Sequence, residues 1–336
     1  MKIGFYGGKF LPLHMGHISC IIQSSNMCDK LYVGISYSNI RDAELFNGRL
    51  KYIPLQKRIE WLKQVAIPLK NVEVFSFEDG DGIDYISWED GAKQIMNHIG
   101  ENVDCVFGSE PSYREVFKKY YPHAKYIMLD HNRKEYPISA TEIRLEGVFK
   151  HWEYIPNICK PYYNKKIVVV GTESCGKSML VEKLAMSYNT TYVGEYGRTM
   201  CDELNTGQPP IEYYPYIAYG HKMNEYEQNK TANKVLIIDT EAITTQFYSE
   251  LYEGKSYKLF NEITSINDYD LWLYLEPDIK WVDDGMRIHG DDIARHNNDE
   301  KLKAMLARAG IKFEIIKGNY QERFRQAREH IDWLIK

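Results

Sequence analysis

The sequence predicts two α/β domains in series, each built on a doubly wound parallel sheet. Its 336 residues are enough for two such domains, each able to bury its own core. Short apolar runs alternate with longer amphipathic stretches, a pattern typical of parallel strands joined by crossover helices. The pattern breaks near Pro156 and Pro161 and then restarts. We therefore expect a first domain at 1–155, a linker at 156–164 and a second domain at 165–336.

Five apolar runs in the first half have the length and composition of buried strands. They lie at 2–6, 31–36, 72–77, 105–107 and 124–129. Helical periodicity begins near Gly16 and recurs at 55–65 and 88–99. This succession predicts a nearly continuous repeat of strand and helix.

The second half restarts the same pattern. Its predicted strands lie at 165–170, at 191–193, in the apolar run that ends at Asp239, at 271–276 and at 312–316. We expect one helix from Gly176, directly after the first of these strands, and a closing helix from Gln321. A second parallel α/β domain follows from this order.

Composition excludes several classes of protein. The formal net charge of −5 gives no overall basic field, so we expect no nucleic-acid partner. The six cysteines form no C-x-x-C pair, which is typical of reduced thiols in a cytoplasmic protein. No apolar run reaches 18 residues and the N-terminus does not resemble a leader, so we expect no membrane insertion. The sequence leaves a homo-oligomer open.

A phosphate-binding motif opens the second half. The stretch GTESCGKS, 171–178, fits G-x-x-x-x-G-K-[ST] between a predicted strand and a predicted helix. Its backbone N–H groups can surround a β-phosphate, while Lys177 reaches the β- and γ-phosphate oxygens and Ser178 ligates Mg²⁺. The motif predicts a P-loop kinase domain with ATP as co-substrate and Mg²⁺ as cofactor. Its predicted ATP-binding residues are Gly171, Glu173, Ser174, Cys175, Gly176, Lys177 and Ser178.

Four side chains further along are candidates for binding the acceptor and the metal. Glu195 and Arg198 follow the short second strand, where small-molecule kinases of this fold often bind their acceptor. Asp239 ends an apolar strand and Glu241 comes two residues later, so carboxylates lie where a magnesium ligand or a general base is needed. We predict all four as acceptor contacts, Asp239 as a Mg²⁺ ligand, and Asp239 or Glu195 as the catalytic base.

The stretch WVDDGMRIHGDDIAR, 281–295, is a candidate lid. If it closes over bound nucleotide, Arg287 and Arg295 can neutralise charge on the γ-phosphoryl oxygens. The alternative is a solvated loop whose charges cancel. We predict both arginines as ATP-binding residues.

The stretch FLPLHMGH, 10–17, has three interpretations. A shared metal ion would need more ligands than His14 and His17, and no cluster of further ligands lies beside them. Pro12 and Gly16 mark a loop, which argues against a pair of core histidines. A phosphate site fits best, because a strand, paired glycines and a helix start surround the histidines, and all of these donors can face one anion.

Two motifs of the first half resemble signatures of the nucleotidylyltransferase superfamily. GKFLPLHMGH resembles the (T/H)-x-G-H signature, and ISATEIR, 138–144, is similar to I-S-x-T-x-x-R, with Ala140 where serine is common. FGSEPSY, 107–113, is similar to a segment that lines the nucleotide site in these enzymes. The resemblance implies a Rossmann-like domain that binds ATP. The implied ATP contacts are Gly8, Phe10, Gly16, Gly108, Ser109, Ser139 and Thr141, and the implied catalytic residues are Lys9, His14, His17 and Arg144.

Together the two halves resemble the bifunctional NadR family, in which nicotinamide-nucleotide adenylyltransferase is joined to ribosylnicotinamide kinase. IIDTEAITTQ and WVDDGMR resemble the kinase half of that family, and Lys9 with the histidine signature resembles its transferase half. The resemblance covers essentially the whole chain. We expect no helix-turn-helix domain of the kind that enteric members carry, because the first predicted strand begins at Lys2.

The resemblance implies two transfers in series, with small molecules as the partners. The kinase half phosphorylates the 5′-hydroxyl of nicotinamide riboside with ATP and gives nicotinamide mononucleotide. The transferase half joins that phosphate to the α-phosphorus of a second ATP and gives NAD and pyrophosphate. A phosphate is a competent nucleophile at neutral pH, so the second step needs only positioning and charge stabilisation.

Two other functions are open from the sequence. A fusion of phosphopantetheine adenylyltransferase with dephospho-coenzyme A kinase would combine similar folds, although IIDTEAITTQ and WVDDGMR argue against it. A nucleotide-sensing regulatory protein with one degenerate site is the second. A flavin adenylyltransferase fusion fits less well, because its kinase partner is a barrel without a P-loop.

Overall fold

The named strands form two separate five-stranded sheets, and every pairing within each sheet is parallel. The structure, a computed structural model, describes residues 1–46, 49–79, 85–279 and 292–336. The chain divides into Met1–Cys159, called unit 1 below, and Lys160–Lys336, called unit 2. This division falls inside the segment that the sequence predicts as a linker.

Unit 1 has the strand order β3-β2-β1-β4-β5. Its strands are β1 (Ile3–Gly8), β2 (Lys30–Tyr37), β3 (Val72–Glu78), β4 (Cys105–Gly108) and β5 (Lys125–Met128). Its described helices are α1 (Met15–Ser25), α2 (Asn39–Glu44), α3 (Leu55–Ala66), α4 (Tyr85–Ile99), α5 (Tyr113–Tyr120) and α6 (Ala140–Glu146), with a 3₁₀ turn at Trp152–Tyr154. The chain builds outward from β1 in one direction and then returns to β4 on its other side. A crevice therefore opens at the carboxyl ends of β1 and β4.

Apolar side chains cover the sheet of unit 1. Ile3 and Phe5 of β1 are buried and belong to one cluster with Phe75 of β3, Ile95 of α4 and Val106 of β4. Parallel strands that are covered on both faces carry nearly continuous apolar runs. This is why the inner strands β1 and β4 can be recognised in the sequence.

Unit 2 has the strand order β10-β9-β6-β8-β7. Its strands are β6 (Lys165–Val170), β7 (Tyr192–Val193), β8 (Val235–Asp239), β9 (Leu271–Leu275) and β10 (Glu314–Ile316). Its described helices are α7 (Lys160–Tyr163), α8 (Lys177–Tyr188), α9 (Tyr196–Leu204), α10 (Tyr214–Asn229), α11 (Ala242–Glu253), α12 (Lys258–Ser265), α13 (Asp292–Arg308) and α14 (Tyr320–Leu334), with a 3₁₀ turn at Ile211–Tyr213. The central strand β6 lies between β8 and β9, so the crevice of unit 2 opens at the carboxyl end of β6.

The core of unit 2 lies on both faces of β6. Ile167 and Val169 belong to one buried cluster, and Val168 and Val170 belong to another. Successive strand residues point to opposite faces, so a fully buried central strand needs an uninterrupted apolar run. The stretch KKIVVV supplies that run directly before the phosphate-binding loop.

The predicted fold class is confirmed, and each predicted strand is present with its ends shifted by at most two residues. Several helices escaped prediction, among them α10. The buried side of α10 includes His221 and Glu225 beside Ile217, so polar residues interrupt its apolar periodicity.

In the described parts of the chain, no helix combines the length and the apolar character needed to span a membrane.

Candidate active sites

The first cleft lies at the carboxyl ends of β1 and β4 and has a volume of about 450 Å³. It brings together residues from stretches that lie far apart in the sequence. The predicted residues that line it are Gly8, Lys9, His14, Gly16, His17, Gly108 and Ser109.

His14 and His17 stack against each other at the start of α1. Their ring centroids are 3.7 Å apart, with 26° between the ring planes. The backbone N–H of His14 donates to Nδ1 of His17 at 3.4 Å, which in a neutral ring leaves the proton of His17 on Nε2. Nδ1 of His14 is buried and has no hydrogen-bond partner among the described residues. The pair therefore offers ring nitrogens to a ligand in the cleft.

Both imidazoles are neutral near pH 7. Burial lowers the pKa of His14 to about 3, and the positive charge of Arg133 acts in the same direction. Burial likewise holds the pKa of His17 well below its ordinary value, with smaller effects from His14 and Arg133. An anion bound beside the rings would raise both pKa values, because a negative charge favours the imidazolium form.

Lys9 directly follows β1, and its ammonium group lies between two carboxylates. Nζ is 2.9 Å from Oδ1 of Asp42 and 3.1 Å from Oδ2 of Asp79. Asp42 is buried on α2 and also pairs with Arg58 at 2.7 Å. Asp42, Asp79 and Arg58 thus hold the lysine at the wall of the cleft, and sequence reasoning found none of the three.

The second signature packs against the first signature. Arg144 donates from Nη1 to the backbone oxygen of Leu11 at 2.5 Å and from Nη2 to Oγ1 of Thr141 at 2.9 Å. The hydroxyl of Ser139 accepts the backbone N–H of Glu142 at 3.1 Å and so caps α6. Ser139, Thr141 and Arg144 are not among the residues that line the described cleft.

Two glycines and a phenylalanine shape the wall around the histidines. A Cβ on Gly108 would lie 2.6 Å from the hydroxyl oxygen of Tyr126, and one on Gly16 would lie 3.1 Å from the ring of His14. The ring of Phe10 is buried and packs edge-on against His17, with centroids 5.0 Å apart. The side chain of Phe10 therefore supports the histidine and does not line the cleft.

Sequence reasoning missed other residues of this cleft. Arg133 lines it near the histidines and pairs with Glu110 at 2.9 Å. Trp88 of α4 and Tyr113 of α5 also line it, with ring centroids 5.6 Å apart. The basic run HNRKEY before the second signature was a signal for Arg133. The two rings meet only through the fold, and the sequence offered no local signal for them.

The second cleft lies at the carboxyl end of β6 and has a volume of about 390 Å³. The P-loop motif forms one wall, and α9, α10 and α11 contribute to the others. The predicted residues that line it are Glu173, Ser174, Gly176, Lys177, Ser178, Glu195 and Arg198.

The GTESCGKS loop depends on the backbone freedom of its glycines. Gly171 has φ of 149° and Gly176 has φ of 84°, values that side chains rarely permit. A Cβ on Gly171 would lie 2.7 Å from the backbone oxygen of Leu275, so the loop approaches β9 too closely for a side chain. Cys175 is buried, and its thiol donates to the backbone oxygen of Thr172 at 3.0 Å. Cys175 thus faces the protein interior and offers only backbone to a ligand.

Lys177, Ser178 and Asp239 lie together where β6, β8 and α8 meet. Lys177 is buried and donates to the backbone oxygen of Thr172 at 2.9 Å. Ser178 hydrogen-bonds Asp239, whereas Oδ1 of that buried carboxylate has no hydrogen-bond partner among the described residues. Burial, and then the negative charge of Glu195, raise the pKa of Asp239 to about 7. A buried carboxylate oxygen beside a serine hydroxyl has the chemistry of a divalent-cation site.

Glu195 and Arg198 are placed by the start of α9. Glu195 is the residue before the helix, and its Oε2 lies 3.9 Å from Nε of Arg198. Both side chains line the cleft. Since the charge of Glu195 affects the pKa of Asp239, the two carboxylates share one neighbourhood.

Glu241 has a different position from the one expected. Its side chain caps α11, where Oε2 accepts the N–H of Ile243 at 2.8 Å and Oε1 accepts the N–H of Thr244 at 2.9 Å. Burial raises its pKa to about 7. Glu241 does not line the described cleft, so its position gives no support to the predicted contact with an acceptor.

The predicted lid is described only at its end. Arg295, on α13, donates from Nη2 to the backbone oxygens of Pro277 at 2.9 Å and Ile279 at 3.0 Å. Arg295 is also absent from the lining of the second cleft. Arg287 and most of the predicted lid lie outside the described residues.

The second cleft also contains residues that sequence reasoning missed. The hydroxyl of Tyr252 donates to Oε1 of Glu173. Nε2 of His221 lies 3.1 Å from the backbone oxygen of Thr240. Tyr252 and His221 come from α11 and α10 and reach the loop only through the tertiary fold, so no local motif identifies them.

Comparisons with known proteins match both units. Residues 5–146 match the family described as cytidylyltransferase-like, and residues 166–323 match an AAA domain. The trifunctional NAD biosynthesis/regulator protein NadR of Escherichia coli (strain K12) is 33% identical over 337 residues, which cover 96% of this chain and 80% of that protein. The chain belongs to the NadR family. The family resemblance carried by the sequence motifs is therefore confirmed.

Solved NadR structures agree over nearly the whole chain. One NadR protein in complex with NR superposes with a TM-score of 0.80 at 27% identity, covering 99% of this chain and 96% of that one. Another in complex with NAD and AMP-PNP gives 0.77 at 25% identity with the same coverage. A coenzyme A fusion does not account for a NadR match that runs through both units.

Proposed function

We propose that the chain is a bifunctional enzyme of NAD salvage, with one reaction in each cleft. Unit 2 phosphorylates nicotinamide riboside with ATP, and unit 1 transfers AMP from a second ATP to the resulting mononucleotide. In this proposal 1–155 is the transferase domain, 156–164 the linker and 165–336 the kinase domain. One observation carries the proposal. Each unit of this NadR-family chain has its own cleft, lined by the P-loop motif in unit 2 and by the histidine signature in unit 1.

In the kinase step, the 5′-hydroxyl of the riboside attacks the γ-phosphorus of ATP and ADP leaves. The loop that contains Gly171 and Gly176 holds the β-phosphate with backbone N–H groups, and Lys177 stabilises the charge that develops on the γ-phosphoryl oxygens. Glu195 lines the cleft and accepts the hydroxyl proton, whereas buried Asp239 does not line the cleft and serves the metal. Arg198 contacts the riboside beside Glu195.

The residues beside the P-loop fit Mg²⁺. Oδ1 of Asp239 is buried without a hydrogen-bond partner among the described residues, and the hydroxyl of Ser178 is its neighbour. Ser178 and Asp239 would hold the ion. When bound, the ion supplies charge neutralisation between the β- and γ-phosphates. Its positive charge also favours the ionised form of Asp239 and so lowers the raised pKa of that carboxyl.

In the transferase step, a phosphate oxygen of the mononucleotide attacks the α-phosphorus of ATP and pyrophosphate leaves. Because this nucleophile is already ionised, the chain needs no base. His14 and His17 donate to the phosphate groups through ring N–H, and Gly16 lets the phosphate approach the backbone at the start of α1. Lys9 balances negative charge at the cleft wall, and Gly108 and Ser109 contact the nucleotide on the side of β4.

The second signature supports this step from behind the loop. Arg144 reaches the backbone of Leu11 and so fixes the loop that carries the histidines. Ser139 and Thr141 lie at the start of the same helix, α6, and by the family resemblance they contact the phosphates of ATP.

Six free cysteines, five of them buried, support our proposal that the enzyme acts in the reducing cytoplasm.

One assay tests this function. The full chain is incubated with nicotinamide riboside, ATP and Mg²⁺, and ADP, mononucleotide, pyrophosphate and NAD are quantified separately. We expect one ADP for each riboside consumed and one pyrophosphate for each NAD formed. If folded protein forms neither mononucleotide nor NAD, the proposal is contradicted. Nucleotide binding without turnover would favour the regulatory alternative.

A further inference from the structure

The two largest fully buried side chains of the described residues are both arginines, Arg58 in unit 1 and Arg323 in unit 2. Each is 2% exposed. A guanidinium group stays charged at all relevant pH values, and burying its charge is costly unless the partners are well placed. An apolar residue would fill either core position without that cost. The partners of each arginine show what its charge holds in place.

Arg323 of α14 binds the P-loop from behind. Its Nη1 donates to the backbone oxygen of Cys175, which is the residue before Gly176. Its Nε donates to the backbone oxygen of Gly318 at 2.8 Å, and its Nη2 donates to that of Glu276 at 2.7 Å and to the carboxylate of Asp278. One side chain thus links the P-loop to the segments that follow β9 and β10.

The bond to Cys175 determines where a phosphate donor points. A trans peptide is planar, and its C=O and N–H point in opposite directions. Because Arg323 holds the Cys175 oxygen on the interior side, the N–H of Gly176 in the same peptide is turned away from the interior. Gly176 lines the second cleft, and its φ of 84° is compatible with this orientation. Arg323 therefore preorganises a backbone donor of the loop.

Arg58 of α3 has the same relation to the first cleft. Its Nη1 donates to the backbone oxygen of Lys9 at 2.9 Å and to that of Ser36 at 3.4 Å, and its Nη2 pairs with Asp42 at 2.7 Å. The other oxygen of Asp42 accepts from Nζ of Lys9 at 2.9 Å. Arg58 therefore fixes both the backbone and, through Asp42, the side chain of a lysine that lines the first cleft.

We infer that Arg58 and Arg323 are positioning residues for the two phosphate loops, each acting on its own reaction. The inference rests on the proposed function and adds two residues to it that touch no substrate. It follows that loss of Arg323 weakens ATP binding in the kinase step and leaves the transferase unchanged. Loss of Arg58 weakens the adenylyl transfer and leaves the kinase unchanged.

The test uses the full chain and compares Arg323→Gln with Arg323→Lys and with Arg325→Gln, a matched change two residues along the same helix at an exposed position. Arg58→Gln and Arg58→Lys are compared with Arg114→Gln, a change at an exposed position of α5. For each variant, KM and kcat are measured for both reactions, and binding of a non-hydrolysable ATP analogue is measured by calorimetry. Circular dichroism and the activity of the unaltered unit report folding.

We expect Arg323→Gln to raise KM for ATP in the kinase reaction at least about tenfold, with KM for riboside within about twofold of wild type and the transferase unchanged. We expect Arg58→Gln to lower kcat/KM of the transferase at least about tenfold with the kinase unchanged. The lysine variants keep the positive charge and one donor nitrogen, so they should recover part of each loss.

Folded glutamine variants with wild-type kinetics would overturn the inference, and so would equal losses in the matched controls. If Arg323→Gln does not fold, Arg323→Lys and Asp278→Asn decide, because Asp278 is more exposed and removing its charge loosens the same contact. If Arg58→Gln does not fold, Arg58→Lys decides. Wild-type protein that neither binds the analogue nor turns over would instead contradict the proposed function.

Discussion

The two clefts differ in the charged and polar side chains that lie beside their loops. In unit 1 the donors beside the loop are neutral imidazoles, since burial lowers the pKa of His14 to about 3, and Lys9 is already paired with two aspartates. In unit 2 a buried lysine lies within the loop, and burial raises the pKa of Asp239 to about 7. The difference fits the two reactions that we propose, because unit 2 also has Glu195 in its cleft as the base for a hydroxyl, beside the proposed metal ligand Asp239. An ionised phosphate needs no base, whereas a hydroxyl does.

Lys177→Ala gives the largest expected effect. It removes the only side-chain ammonium group that lines the described second cleft, so we expect the kinase rate to fall about a thousandfold. Adenylyl transfer to supplied mononucleotide should stay within twofold of wild type. Separate assays of the two half-reactions measure both effects. Loss of both activities in folded protein would show that the clefts do not act independently.

His17→Ala gives the reverse result. Losing one preorganised donor costs about 3 kcal/mol of transition-state stabilisation, which is roughly a hundredfold in rate. We expect that loss in adenylyl transfer and an unchanged kinase. Initial rates of pyrophosphate and ADP release measure the two steps. A normal transferase rate would remove the histidine from the mechanism.

Gly171→Ala tests the geometry of the phosphate-binding loop in unit 2. A Cβ there would lie 2.7 Å from the backbone oxygen of Leu275, at a φ of 149°. We expect a loss of about 2 kcal/mol in the stability of unit 2 and little kinase activity. Gly207→Ala is the control, because its Cβ would meet no atom within 4 Å. Chemical denaturation compares the two variants, and equal stabilities would contradict the loop geometry.

The smallest expected effect is the pH dependence of stability, which has opposite signs at His14 and Glu241. The folded pKa of His14 is about 3 against an ordinary 6.5, so below pH 6.5 the unfolded chain binds a proton that unit 1 does not, and stability falls as pH falls. The folded pKa of Glu241 is about 7 against an ordinary 4.5, so between these values unit 2 holds a proton that the unfolded chain releases. Its contribution to stability is therefore lost as pH rises.

Denaturation at pH 5, 6 and 7 measures these slopes, and hydrogen exchange assigns each transition to a unit. His14→Gln should flatten the fall of unit 1 on acidification, and Glu241→Gln should flatten the opposite trend in unit 2. Each slope is at most about 1.4 kcal/mol per pH unit. Unchanged slopes in both variants would show that His14 and Glu241 do not cause the pH dependence of stability.

Much of the architecture could be predicted from sequence because the inner strands of both sheets are largely buried. These strands appear as apolar runs, and the P-loop motif and the histidine signature sit directly after β6 and β1. The lining residues Lys177, His14 and His17 were found in this way. The sequence of residues within each of these short stretches was enough to predict these features.

The remaining site residues depend on contacts between distant segments. Arg323 reaches the P-loop across 148 positions, and Arg58 reaches Lys9 across 49, so no local pattern reveals either contact. Glu241 was predicted to contact the acceptor, but a carboxylate after a strand can also cap the next helix, and here it caps α11. Only the fold distinguishes the two roles.

Mixing the two variants tests the central claim most directly. Lys177→Ala and His17→Ala are each incubated with nicotinamide riboside, ATP and Mg²⁺, alone and together, and NAD is quantified. Neither variant alone should form NAD at more than a small fraction of the wild-type rate. The mixture should form it readily, because one protein supplies the mononucleotide and the other adenylylates it. A mixture of folded variants that makes no more NAD than either alone would contradict the assignment of one reaction to each cleft.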